Sequence, residues 1–198
     1  MFVYFMMSTS SSIADFFNAI HPVDDEVLAD YLSHWQRFHC SKKTTITFQG
    51  QTERYIYFVE DGIQKSYYLH QGKPYVIAFT YPPSFSGIPE SFITQTPSHY
   101  FLETISDSKF LRIPYESHQQ LMQQHRSIET LVRKATEMIL VGLVQRQYEL
   151  MALDIQSRFT AFVQRSPHLL NMVPHKDLAS YLRIDPTNFS KLLNSVKT

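Results

Sequence analysis

The sequence predicts an α+β protein. An antiparallel β-roll flanked by helices is followed by a long helix and a small all-helical end. Three observations predict this. Between Thr44 and Pro114 apolar residues recur with a period near two. From Ser127 to Ala152 the period is three to four, with no proline to interrupt it. The final stretch, VPHKDLASYLRIDPTNFSKLLNSVKT, reads as two short helices joined by a tight corner.

The composition sets the bounds. The 198 residues suit one domain, or one domain with a small second one. With 43% apolar residues, fifteen Phe and twelve Tyr, the chain can bury a real core. The formal net charge is zero, so a nucleic-acid partner would have to be met by a local patch. Cys40 is the single cysteine, which rules out an internal disulfide and a Cys-rich iron–sulfur or zinc site. Its two readings are a half-buried thiol and a redox or ligand residue. The opening MFVYFMM is too short to span a bilayer and lacks a basic flank, and translation could start at Met1, Met6 or Met7. A cytoplasmic protein with no membrane contact is expected.

The elements follow in order. From Ser12 to about Cys40 the pattern is helical. Ile13, Phe16, Phe17 and Ile20 fall on one face, and His21-Pro22 ends that segment. Val27, Leu28, Tyr31, Leu32 and Trp35 form the next stripe, with Asp24 placed to cap it. Six strand-like runs follow: TTITF, YIYFV, IQKSYYL, YVIAFTY, YFLETI and KFLRI. Gly50, Glu60-Asp61-Gly62 and Gln71-Gly72-Lys73 supply turn chemistry after the first three. From about Glu116 the pattern returns to helix.

The long helix is apolar on two sides. Ile128, Leu131, Val132, Ala135, Met138, Ile139 and Gly142 line one side; Leu140, Leu143, Val144, Gln147, Leu150 and Met151 line another. Two readings stay open: one side on the chain's own roll and the other on a second copy, or one helix buried in a monomer. Gly142 costs about 1 kcal/mol relative to Ala in a helix interior, which a close helix crossing would explain. Asp154 then caps a further short helix carrying Phe159, Phe162 and Val163.

At the end of the chain, Leu178, Ala179 and Leu182 form the inner stripe of the first helix, and Arg183-Ile184 make the corner. Asp185 is an N-cap, Pro186 takes the first helical position, and Phe189, Leu192, Leu193 and Val196 face inward. The outward face of the second helix carries Thr187, Asn188, Ser190, Lys191 and Asn194. These side chains can reach base edges and phosphates in a major groove. From Arg165 onward five Lys or Arg (165, 176, 183, 191, 197) stand against Asp177 and Asp185, so the end is locally basic. The residues alone leave two readings here, a DNA reader and an ordinary helical hairpin with a solvated face.

The order of parts resembles the Crp/Fnr family of bacterial transcription regulators over nearly the whole chain. YFVEDGIQKSYY looks like the hairpin of a cyclic-nucleotide-binding roll, with Gly62 at its turn. PPSFSGIPESFITQTPSHYFLETISDSKFLRI looks like its phosphate-binding cassette and the strands after it. VPHKDLASYLRIDPTNFSKLL is similar to the family's helix-turn-helix. The short length resembles a subgroup common in Bacteroidetes-type bacteria. The resemblance implies a cupin-like jelly roll of the double-stranded β-helix type over residues 1–125, a dimerisation helix over 126–152 and a DNA-binding unit over 153–198. It implies a homodimer, here expected to pair through Leu131, Ala135, Met138 and Gly142. It also implies double-stranded DNA as partner, with recognition helices about 34 Å apart, and RNA polymerase as a further partner. Thr187, Asn188 and Lys191 match the base-reading face, Ser190 a phosphate contact, and Lys176 lies on the helix before them.

The resemblance has two departures. The implied ligand pocket includes Phe85, Gly87, Ile88, Glu90, Ser98 and His99. Nucleotide-binding members carry Glu directly after the cassette Gly and an Arg-Ser pair some ten residues later. Here Ile88 follows Gly87, and Ser98-His99 stands at the second place. Cyclic AMP is therefore not expected, since its phosphate would lack a cation, and any small-molecule effector is unidentified. No metal site is expected and no cofactor is certain; haem stays open through His or Met ligands, though the nine scattered His give no helical ligand pair. The second departure is that the sequence ends just after Val196, with no β-hairpin wing in view. This motivates a rival reading, a small-molecule-binding or protein-interaction module that has lost DNA binding. An enzyme is not expected: no nucleophile elbow, P-loop or metal-ligand spacing is present.

Overall fold

A computed structural model describes residues 12–196, apart from the side chain of Val196. MFVYFMM, with the three candidate starts, and Lys197 lie outside the described residues, as does the inward call on Val196.

Helix α1 (Ile13–Ile20) opens on a capping box. The Asp15 N–H donates to Ser12 Oγ (3.2 Å), and the Ser12 N–H donates to Asp15 Oδ2 (3.0 Å). Helix α2 (Asp25–Ser33) starts after Asp24, whose side chain makes no capping hydrogen bond, contrary to expectation. The helix expected to run to about Cys40 stops at Ser33, and Gln36–Cys40 is a strand, β1. Trp35 continues the helical stripe in sequence and is buried in the same core, so periodicity hid the change. The change itself is driven by pairing: β1 forms a ladder from Gln36 opposite Arg112 to Cys40 opposite Ser108.

The remaining strands are β2 (Thr45–Thr47), β3 (Tyr55–Asp61), β4 (Gln64–His70), β5 (Lys73–Thr80), β6 (Ser84–Ser86), β7 (Phe101–Thr104) and β8 (Ser108–Pro114), with a short helix α3 (Pro89–Thr94) between β6 and β7. They form two four-stranded antiparallel sheets, ordered β1-β8-β3-β6 and β2-β7-β4-β5. Alternation along β3 and β8 divides the core in two. Tyr57, Val59 and Phe110 point between the sheets, where they meet Ile88 and Leu102. Phe58 and Ile113 point the other way, into a layer built by α1, α2, α4 (Tyr115–Gln124) and α5 (Arg126–Ala152). The β3–β4 turn needs glycine on two counts. Gly62 has φ +91°, and a Cβ there would lie 2.4 Å from Asp107 O and Ser108 Oγ.

At about 1.5 Å per residue the 27 residues of α5 span about 40 Å. Helices α6 (Ile155–Arg165), α7 (Leu169–Met172), α8 (His175–Leu182) and α9 (Pro186–Val196) follow. Asp154 caps α6 as expected, accepting from the Ser157 N–H at 2.7 Å. Phe159, Phe162, Leu178, Leu182, Phe189 and Leu193 make the core of this helical head, and Ile63 and Ile105 of the roll join it. Among the described residues no helix is long and apolar enough to cross a membrane.

One buried titratable group sets a pH limit on this fold. His118 of α4 lies 2.9 Å from the Tyr31 hydroxyl, and burial pulls its pKa down to about 4. The unfolded chain, with an ordinary histidine there, binds that proton first. Stability from neutral His118 is thus complete above the unfolded pKa of about 6.5 and is lost as pH falls toward 4, about 3 kcal/mol in all. Urea unfolding at pH 7 and pH 4.5 should show that loss in the native chain, and His118→Gln should flatten it.

Candidate functional site

The corner of the C-terminal pair is built by local chemistry. Arg183 takes the left-handed conformation (φ 56°) just past α8. The Ile184 N–H then donates to Ala179 O (3.0 Å) and the Arg183 N–H to Ser180 O (3.2 Å), closing the helix end in a Schellman arrangement. Asp185 Oδ1 accepts from the Thr187 N–H at 2.8 Å and from the Asn188 N–H at 3.4 Å, so it caps α9 as expected, with Pro186 as first residue. Phe189 and Leu193 are buried, whereas Thr187, Asn188, Ser190, Lys191 and Asn194 are all exposed, as is Lys176 on α8. These residues therefore form a continuous polar surface on a helix anchored from behind. Ser190 Oγ donates to Pro186 O within the helix.

Two ion clusters hold this pair in place. Glu149 of α5, 4% exposed, accepts from Arg165 of α6 at 2.9 and 3.4 Å and lies 3.7 Å from Arg146. Burial alone would raise the Glu149 pKa, but the Arg165 guanidinium, with Gln145 and Arg146, holds it below the usual carboxylate range. Arg146 in turn donates to the Tyr181 carbonyl and covers its ring, centroid 3.9 Å away. On the opposite side Lys65 of β4 bridges Glu103 (3.2 Å) and the buried Asp177 of α8 (3.0 Å). Strand β5 is a sheet edge, and α8 covers it. The Val76 N–H donates to Ser180 Oγ (3.0 Å), and Ser180 Oγ lies 3.3 Å from Pro74 O. Arg158 donates to Leu153 O and Arg183 O, linking the end of α5 to the corner. None of these long-range pairings was read from the sequence.

The six expected pocket residues are not brought together. Phe85 points out of the roll, against Phe16, Phe17 and Phe58 of the helical layer. Gly87 has φ +138° and room beside it. Ile88, 1% exposed, fills the space between the sheets. Glu90 and His99 face each other at the surface: Glu90 Oε1 accepts the His99 N–H at 3.1 Å and lies 3.4 Å from His99 Nδ1. Ser98 is buried and donates to Tyr100 O. Sequence reasoning also missed Glu53. This buried residue accepts from Thr47 Oγ1 (2.6 Å), and its own N–H donates to Ser91 of α3. Burial raises its pKa, and hydrogen bonds from Thr47 and from the backbone N–H groups of Tyr55, Ile88 and Arg54 pull it back. A carboxyl from the chain itself thus already occupies the Ile88 N–H.

The long helix divides as its pattern suggested, but not at the expected residues. Leu131 and Ala135, expected at an interface, are buried in the chain's own core, and Gly142 is buried too; Met138 sits at the edge, 37% exposed. The uncovered stripe is Leu140, Val141, Leu143, Val144, Tyr148 and Met151, each more than half exposed.

Residues 37–125 match the profile of the family described as cyclic nucleotide-binding domain. The roll is thus similar in profile and in fold to a cyclic nucleotide-binding domain. Similar folds extend beyond it. FixK2 from Bradyrhizobium japonicum superimposes with a TM-score of 0.70 at 17% identity, over 82% of this chain and 84% of that one. The catabolite activator protein of Thermus thermophilus gives 0.57 at 18%, over 90% and 85%. CLP of Xanthomonas campestris, a c-di-GMP responsive global regulator, gives 0.63 at 18%, over 88% and 92%. At these identities the likeness is one of fold. No curated protein matches the chain. Among the described residues no cluster of three or more His, Cys, Asp or Glu could hold a metal ion.

Lys65→Met should cost about 3 kcal/mol of stability, since it leaves Asp177 buried without its cation. Asp185→Ala should cost about 1 kcal/mol through the lost cap. Urea denaturation of both variants checks the pair.

Proposed function

We propose that the chain is a dimeric, sequence-specific DNA-binding transcription regulator of the Crp/Fnr type, acting in the cytoplasm, whose roll does not take cyclic AMP. The observation that carries this reading is the capped helix α9, exposed along Thr187, Asn188, Ser190 and Lys191 and buried on its opposite side. In a major groove Thr187, Asn188 and Lys191 read base edges, and Ser190 and Lys176 contact phosphates. Residues 1–125 serve as sensor, 126–152 as dimerisation helix and 153–198 as reading head. The second copy covers Leu140, Val141, Leu143, Val144, Tyr148 and Met151 of α5, which sets two heads about one helical turn of DNA apart. RNA polymerase is the onward partner of such a regulator.

Ile88 and Glu53 support the exclusion of cyclic AMP. One fills the volume between the sheets, and the other puts a carboxyl where a ligand phosphate would need the Ile88 N–H.

In-vitro selection from a random duplex library, with the full chain at low and near-physiological salt, should enrich a two-fold symmetric motif. Enrichment of nothing at either salt would contradict the reading. On the selected duplex, Asn188→Ala should cost about 1–3 kcal/mol and relax preference at one position per half-site. Lys176→Ala should weaken binding uniformly and flatten the salt slope by about one per head. Val144→Glu should give a monomer by sedimentation and abolish high-affinity binding.

A further inference from the structure

A cleft of about 860 Å3 opens between the roll and the helical head. That volume suits a small molecule. Both units line it: the β1–β2 turn, β4 and the end of β7 on one side, residues 170–177 on the other. Tyr67, Leu69 and Ile105 from the roll and Leu170, Met172 and Val173 from the head give it an apolar lining. Its two carboxylates, Glu103 and Asp177, are both paired to Lys65. Lys42, Lys43 and Lys176 also line it, are exposed, and form no ion pair among the described residues. The cleft therefore combines an apolar lining with a positive rim.

The backbone that carries Lys42 and Lys43 is pinned. The Lys42 N–H donates to Asp107 Oδ1 at 2.7 Å, and the Lys43 N–H donates to Thr104 O at 2.9 Å, with Lys43 in the left-handed region (φ 63°). The interior of the roll, by contrast, is filled by Tyr57, Ile88 and Phe110.

We infer that this cleft binds a small organic anion, an apolar or aromatic body carrying a phosphate or carboxylate. The body lies on Leu69 and Leu170, and the charge lies between Lys42 and Lys43. Such an occupant touches the roll and the head at once, beside the Lys65–Asp177 contact. Its affinity is therefore coupled to the position of the head. This adds an effector site to the regulator reading, but binding of the anion stands or falls without DNA.

Isothermal titration of the full chain, with no DNA present, tests it with three probes: 1-naphthyl phosphate, 1-naphthol and inorganic phosphate. The aryl phosphate should bind one site per chain at least tenfold more tightly than either fragment. The exposed double variant Lys42→Glu/Lys43→Glu should lose at least tenfold in that affinity. Hydrogen exchange should show protection by the aryl phosphate at residues 42–43 and 170–177. Naphthol binding as tightly as its phosphate would place the probe on the bare α5 stripe and overturn the proposal. Unchanged affinity in the double variant would overturn it too. So would a double variant that loses duplex affinity alone, since the rim would then serve DNA phosphates.

Discussion

Helix α5 is apolar on two faces, and one folded chain covers only one of them. Ile128 and Leu131 hold the helical layer against the outer face of the β1-β8-β3-β6 sheet. The opposite stripe, Leu140 to Met151, stays in water. Burying a Leu or Val side chain contributes about 1.5–3 kcal/mol. Leu140, Val141, Leu143 and Val144 are each about 60% exposed, so covering them on two copies supplies about 7–14 kcal/mol, comparable to an association cost of about 4–15 kcal/mol. The rest of the architecture hangs from this helix. The roll is attached near its start and the head at its end, and in the proposed dimer a second copy of the chain completes its surface.

The head is gripped from two sides. Glu149 with Arg146 and Arg165 ties α6 and the end of α8 to α5, while Lys65 with Asp177, and Ser180 with β5, tie α8 to the roll. Both clusters are largely shielded from water, so breaking either leaves a charge poorly paired. A molecule that favours one grip over the other shifts the population of head positions without touching α9. The cleft beside Lys65 is where such a molecule would act.

Local chemistry was legible in the sequence and long-range partnership was not. The corner at Arg183-Ile184, the Asp185 and Asp154 caps and most strands follow from neighbours within a few residues, and they stand where the pattern put them. Strand β1 was misread because Trp35 prolongs the helical stripe, and β6, three residues long, is too short to show a period. Periodicity revealed two apolar faces on α5 but could not say which one the chain keeps for itself. The Ile88 departure pointed away from cyclic AMP, yet Glu53 lies 38 positions before Ser91, and Lys65 lies 112 before Asp177. No window of sequence joins residues so far apart. Phe85 was assigned to the pocket from the cassette resemblance, but alternation along β6 turns it to the helical layer.

The most direct test of the account is a distance between the two reading heads. With Cys40 replaced by Ser, a spin label on Ser195→Cys reports from the exposed far end of α9, beyond the residues assigned to DNA. Bound to a two-fold symmetric duplex, the labelled chain should give a single interspin distance on the order of 34 Å. The Val144→Glu background should lose it. A chain that shows no second spin within range, or the same distance in that background, would contradict a dimer built on α5.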